Sequence, residues 1–215
     1  MIDHNKVDYL QSLQPEDEHE ALFAHIRSYA VEHNVPIMEE DGLQLVLDLM
    51  DAAKAEDVLE IGSAIGYSAL RFALSGRMKR RVQTIERDEV RAQKARTNIS
   101  AADAEEWVKI YEGDALQADH FAISPSSFDV LFIDAAKGAY QAFFDHYAPC
   151  VKPGGLIITD NVLFRGYAEA PEKAPKRWRS MAKKVHAYNR ELAANTAYTT
   201  TFHAVGDGVA VSQKD

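Results

Sequence analysis

Short runs of consecutive apolar residues alternate along the chain with stretches whose apolar positions recur every three or four residues. Five runs are of strand length and predict buried strands: VLEIG at 58–62, VQTIE at 82–86, VKIYEG at 108–113, FDVLFID at 128–134 and GLIITD at 155–160. Between them, Tyr67 to Leu74, Asp88 to Ile99 and Tyr140 to Tyr147 carry a 3.6-residue period and predict helices. Repeated strand–helix units imply α/β architecture, with a mostly parallel, doubly wound sheet. Two helices are predicted ahead of the first strand, over 16–33 and 41–54, with Pro36 between them. Asp41 is the expected N-cap of the second, and Leu43, Val46, Leu47 and Met50 mark its apolar face. Near the end, TAYTTTFHAV (196–205) and GVAVSQ (208–213) flank Gly206 and Asp207 and predict an antiparallel hairpin closing one sheet edge, which makes seven strands. Residues 1–215 read as one domain, with 1–40 as an N-terminal helical cap.

Composition narrows the class. A chain of 215 residues, 47% hydrophobic, buries enough surface to need no disulfide or structural zinc. The lone Cys150 makes no bridge within the chain, so a reducing cytoplasm is the expected location. The acidic, polar start is unlike a signal peptide, and no apolar run approaches the roughly 20 residues that span a bilayer. A net charge of −9 argues against indiscriminate binding to nucleic acid or anionic lipid. Yet seven basic residues and no acidic one lie between Lys173 and Arg190. Within that segment Lys176, Arg179, Lys183, His186 and Arg190 share one helical face, and Trp178, Met181, Val185, Tyr188 and Leu192 the opposite one. The apolar face is expected to dock on the body and leave a cationic strip of the sort that neutralises phosphates; a merely solvated face is the plain alternative.

Candidate chemistry collects at the carboxyl ends of the strands. The turn after the first holds Gly62, Ala64 and Gly66, small residues that let a ligand approach the backbone beside a helix N-terminus. Glu86 ends the second strand, 24 residues after Gly62, where nucleotide-binding sheets place an acid on ribose hydroxyls. Gly113, Asp114 and Ala115 follow the third strand and could read an adenine edge. Asp134 and Lys137 end the fourth strand, Asp160 and Asn161 the fifth. Two carboxylates and an amide oxygen form a hard oxygen set suited to Mg²⁺, with helix capping by Asp160 and Asn161 as the structural alternative.

The Gly62-Ser-Ala-Ile-Gly66 loop is shorter than a dinucleotide-binding Gly-x-Gly-x-x-Gly and is preceded by Glu60. It resembles the loop of class I S-adenosylmethionine-dependent methyltransferases, whose Rossmann-like fold binds a donor with ribose and adenine but no phosphate; NAD is the less favoured cofactor. The set PIM (36–38), LEIGSAIGYSA (59–69), TIE (84–86), GDA (113–115), IDAAKGAY (133–140), TDNVL (159–163) and GDGVAVS (206–212) resembles metal-dependent O-methyltransferases of the catechol and caffeoyl-CoA type. The resemblance implies that Met38, Ser68, Glu86, Asp114, Ala115 and Asp134 contact S-adenosylmethionine, with Gly62 in the cofactor loop. It implies that Asp134, Asp160 and Asn161 hold Mg²⁺ or another divalent cation, that Lys137 is the general base, and that the protein is a homodimer.

Chelation by such a cation favours two adjacent substrate oxygens, as in a catechol or in 5-hydroxyuridine, whose 5-hydroxyl neighbours a carbonyl. FRGYAE followed by KRWRSMAKKVHAYNREL resembles bacterial tRNA 5-hydroxyuridine methyltransferases of this family. That resemblance implies tRNA at the wobble position as first substrate, with Lys176, Arg179 and Lys183 on its phosphates. Small catechol-like phenols are the alternative. Ala135 and Ala136, where catechol enzymes carry bulky residues, suggest a roomier pocket. A non-catalytic RNA-binding protein is disfavoured by the intact Asp134, Lys137, Asp160 and Asn161.

Overall fold

The computed structural model describes residues 18–120 and 123–214. Helices α1 (Glu20–Glu32) and α2 (Glu40–Ala52) precede β1 (Asp57–Ile61). Then follow α3 (Tyr67–Leu74), β2 (Arg81–Glu86), α4 (Glu89–Ala101), β3 (Val108–Glu112) and β4 (Phe128–Ile133). The chain continues through α5 (Tyr140–Tyr147), β5 (Val151–Thr159), α6 (Lys176–Ala194), β6 (Tyr198–His203) and β7 (Val209–Lys214). The seven strands form one sheet in the order β3-β2-β1-β4-β5-β7-β6. Neighbours among the first five are parallel, whereas β7 runs antiparallel to both β5 and β6. The α/β, Rossmann-like expectation with its C-terminal hairpin is therefore met.

Alternation along the strands explains the two cores. Val58, Val82, Val130, Phe132, Leu156 and Ile158 point to one side, where they pack with apolar residues of α1 to α3 and with Ile99 of α4. Leu59, Ile61, Ile85, Leu131, Ile133 and Ile157 point to the other, against Tyr140, Phe143 and Phe144 of α5 and Tyr188 and Leu192 of α6. Where both faces are buried, in β1, β4 and the second half of β5, the strand is a nearly unbroken apolar run, whereas edge strand β3 stays largely accessible.

Several boundaries differ from expectation. Residues 1–17 of the proposed 1–40 cap, which include the predicted helix start at 16, lie outside the described residues, and α1 is seen from Glu20. Asp41 is not an N-cap. Helix α2 begins at Glu40 with Glu39 in the cap position, and its Asp41 joins Glu40 as an acid in the first turn, favourable to the helix dipole. Strand β5 starts at Val151, four residues before the predicted 155, because its pairing with β4 resumes across a register shift between Phe128 and Val130. Asp88, by contrast, caps α4 through its side chain, which accepts from Arg91 N at 3.0 Å.

Candidate active site

The sheet ladder extends one residue past the strands and fixes where the site begins. Gly62 N donates to Ile85 O at 2.9 Å, Asp134 N to Ile61 O at 3.0 Å and Asp160 N to Ile133 O at 3.1 Å. Three loops thus start level with one another along one edge of the sheet. Gly62 has φ +95°, and a Cβ there would fall 2.4 Å from Asp134 O, so only glycine lets these two strand ends lie together. Above the ends opens a cavity of about 770 Å³.

Every residue proposed for donor, metal or base lines that cavity. For the donor these are Met38, Gly62, Ser68, Glu86, Asp114 and Ala115. Asp134, Lys137, Asp160 and Asn161 line the remainder. Glu86 is already engaged by backbone: Oε2 accepts from Ala64 N at 2.8 Å and Oε1 from Asp88 N at 2.9 Å. Ala64 itself sits at φ +44°, a left-handed conformation held by that bond. The carboxylate so fixes the loop while retaining lone pairs for further donors. Asp114 Oδ1 accepts from Leu116 N at 2.9 Å, and Ala115 O accepts from Tyr147 Oη–H at 2.6 Å.

Beneath the loop lies an acid that the sequence reading noted in the loop pattern but gave no role. Glu60, in the middle of β1, is completely buried; Ser68 Oγ donates to its Oε1 and Thr84 Oγ1 to its Oε2, both at 2.5 Å. Burial pushes its carboxyl up to about 7 against the pull of those two hydrogen bonds. An acid inside an otherwise apolar strand was the available signal. A second network braces the cavity wall: Tyr67 Oη donates to Glu40 Oε2 at 2.8 Å, while Arg71 Nη1 donates to Glu40 Oε1 at 2.5 Å.

Asp134 and Asp160 stand at the base. Asp160 is nearly inaccessible, and its carboxyl is pushed up to about 7 by burial first and by the charge of Asp134 second. Burial raises Asp134 also, with Lys137 opposing. Asn161 adopts φ +56°, and Lys137 Nζ donates to its Oδ1. Tyr140 Oη donates to Asp160 O at 2.9 Å and Asn189 Nδ2 to Val162 O at 2.7 Å, which pins this strained turn from α5 and α6. No cluster of three or more His, Cys, Asp or Glu suited to a metal occurs among the described residues; the oxygen trio here includes an amide. Its donor set fits a hard divalent cation, whose charge would relieve the repulsion between the two carboxylates.

Lys176, Arg179 and Lys183 lie outside the cavity, exposed on α6. His186, expected on the same strip, is half-buried instead, with Nδ1 2.7 Å from Ala168 O. The opposite face docks as expected through Val185, Tyr188 and Leu192.

A sheet of this order with a cavity above β1, β2 and β4 defines the class I S-adenosylmethionine-dependent methyltransferases. A model of the O-methyltransferase family matches residues 13–215, and the chain belongs to that family. It is an S-adenosylmethionine-dependent O-methyltransferase, related to the caffeoyl-CoA and catechol enzymes. A Staphylococcus aureus structure provisionally described as a caffeoyl-CoA O-methyltransferase is 37% identical, with TM-score 0.84 over 99% of this chain and 100% of that one. The Bacillus cereus O-methyltransferase in complex with S-adenosylhomocysteine (SAH) is 25% identical, with TM-score 0.80 over 97% and 96% of the two chains. A catechol O-methyltransferase of Niastella koreensis is 32% identical over 161 residues, 74% of this chain and 70% of its own. Among the described residues no helix is long and apolar enough to cross a membrane.

Proposed function

We propose that this protein methylates one hydroxyl of a small aromatic acceptor bearing two adjacent oxygens, such as a catechol, with Asp134, Asp160 and Asn161 holding a divalent cation. The observation that carries this reading is the pair of carboxylates at adjacent strand ends in the cavity, Asp160 buried and Asp134 half-buried, each raised by desolvation and Asp160 further by its neighbour. A bound Mg²⁺ would stabilise the acceptor as an oxyanion, lowering a phenolic pKa of roughly 10. Lys137, whose Nζ is within hydrogen-bonding reach of Asn161 Oδ1, would take the acceptor proton as the neutral amine, a form that the field of a bound cation favours. Glu86 would receive the donor's ribose hydroxyls, Asp114 and the Ala115 amide its adenine, and Met38, Gly62 and Ser68 its methionine end, with Asp134 also near the donor. Relatives named for catechol and caffeoyl-CoA support a phenolic acceptor.

One observation favours a second reading, 5-hydroxyuridine at the wobble position of tRNA. Helix α6, with Lys176, Arg179 and Lys183 exposed, packs beside the Lys137 turn: Lys184 Nζ lies 3.4 Å from where a Cβ on Gly138 would be. The test is methyl transfer from labelled donor with Mg²⁺ to a catechol panel and to hydroxylated tRNA, repeated with Lys176, Arg179 and Lys183 changed to Glu. Label on catechols, indifferent to the reversal, supports the first reading. Label on tRNA that the reversal abolishes supports the second, and label on neither refutes both.

A further inference from the structure

Arg165 follows the metal-side turn by four residues and lines the same cavity as Lys137, Asp160 and Asn161. Its backbone is held in an unusual shape: Asn161, Phe164 and Arg165 have φ of 56°, 47° and 57°, all left-handed for residues with a Cβ. The hairpin turn fixes this conformation, since Asp207 Oδ1 accepts from Arg165 N at 2.5 Å and Asp207 O from Leu163 N at 2.8 Å. Strain retained at a cavity wall and secured from a second element implies that the side chain it aims has a task.

The guanidinium lies 4.7 Å from the centroid of the Trp178 ring, with Arg177 at 4.3 Å from the same ring. Trp178 therefore gives Arg165 a fixed platform without consuming its N–H donors. Among the described residues no carboxylate pairs with this guanidinium. Asp207 lines the same cavity and holds the Arg165 backbone, but its carboxylate forms no ion pair with the guanidinium, whose donors stay free at the cavity edge. A neutral catechol leaves those donors to water. Aromatic clamping offers no substitute there, because the aromatic lining residues, Tyr67 and Phe143, are nearly wholly buried, and Tyr67 is tied to Glu40.

We propose that Arg165, stacked on Trp178, is a specificity residue that selects acceptors carrying an oxyanion, carboxylate or phosphate, beside the ring that is methylated. This rests on the O-methyltransfer reading above and names the acceptor class more closely. A charge-assisted contact at an exposed arginine is worth about tenfold in kcat/KM, and it weakens as salt screens it.

The test uses two matched pairs with saturating donor and Mg²⁺: catechol against 3,4-dihydroxybenzoate, and 5-hydroxyuridine against its 5′-monophosphate. The expected result is about a tenfold preference for the anionic member of at least one pair, which identifies carboxylate or phosphate as the source. Arg165→Ala should collapse that ratio, Arg165→Lys should restore part of it, and added KCl should lower it in the wild type only. A merely structural role for Arg165 would lower both members of a pair together and leave the ratio unchanged. Methylation of all four acceptors with ratios near unity, or ratios indifferent to Arg165→Ala, overturns the assignment and leaves the O-methyltransfer reading intact. Methylation of none overturns both.

Discussion

Replacing Glu60 by Gln tests how the floor of the donor loop is built. The carboxyl is wholly buried, accepts only two hydroxyl protons and has no cation beside it, so burial raises it from 4.5 to about 7. A raised carboxyl means that the folded state binds a proton more tightly than the unfolded one. Unfolding free energy should consequently fall as pH climbs from about 4.5 to 7, then level off. The shift corresponds to a loss of about 3 kcal/mol across that window. Gln reproduces the protonated form, since Ser68 and Thr84 hydroxyls can rotate to accept from its amide as well as donate to its oxygen. Asp134 and Asp160, also raised, contribute slope of the same sign in both proteins, so the difference between profiles reports Glu60 together with its repulsion from Asp134. Urea unfolding of wild type and Glu60→Gln from pH 5 to 8.5, with EDTA present, measures it. The variant should gain on the wild type by about 3 kcal/mol between the ends of the range. A difference that stays flat within about 0.5 kcal/mol would refute the idea that Glu60 is held above its ordinary range.

Other consequences are equally direct. Gly62→Ala must place a Cβ 2.4 Å from Asp134 O at φ +95°, so it should cost about 3 kcal/mol and abolish donor binding, measured by denaturant unfolding and calorimetry with S-adenosylhomocysteine. Tyr140→Phe removes the hydroxyl that donates to Asp160 O; a loss of roughly 1–3 kcal/mol in unfolding free energy is expected, with divalent-cation affinity lowered several-fold. Phe132→Ala empties a fully buried position packed edge-on against Phe72 at 5.0 Å, and should destabilise by about 3–5 kcal/mol in urea unfolding.

The architecture was legible because β1, β4 and the second half of β5 are buried on both faces, which leaves continuous apolar runs that differ plainly from the helical periods between them. The site was legible for a related reason. Parallel strands in register bring Gly62, Asp134 and Asp160 to one level, so residues just past each strand end converge whatever their separation along the chain. What escaped depends on tertiary partners. Glu60 finds Ser68 and Thr84 on a helix and a neighbouring strand, and nothing local announces either bond. Helix spacing grouped His186 with the exposed lysines, but Ala168 O draws its ring inward. Arg165 gains its place from three left-handed residues and a contact with the far hairpin, features invisible in a pattern of apolar positions. Asp41 shows a smaller limit: a capping residue type within one position of a helix start does not establish which residue caps it.

The central claim is that Asp134, Asp160 and Asn161 together bind one divalent cation. Calorimetric titration of Mn²⁺ into the folded protein with S-adenosylhomocysteine present addresses it without recourse to activity. The account predicts one ion per chain for the wild type and none for a folded Asp160→Ala variant that still binds S-adenosylhomocysteine. Equal ion binding by the two proteins, or none by the wild type, would contradict it.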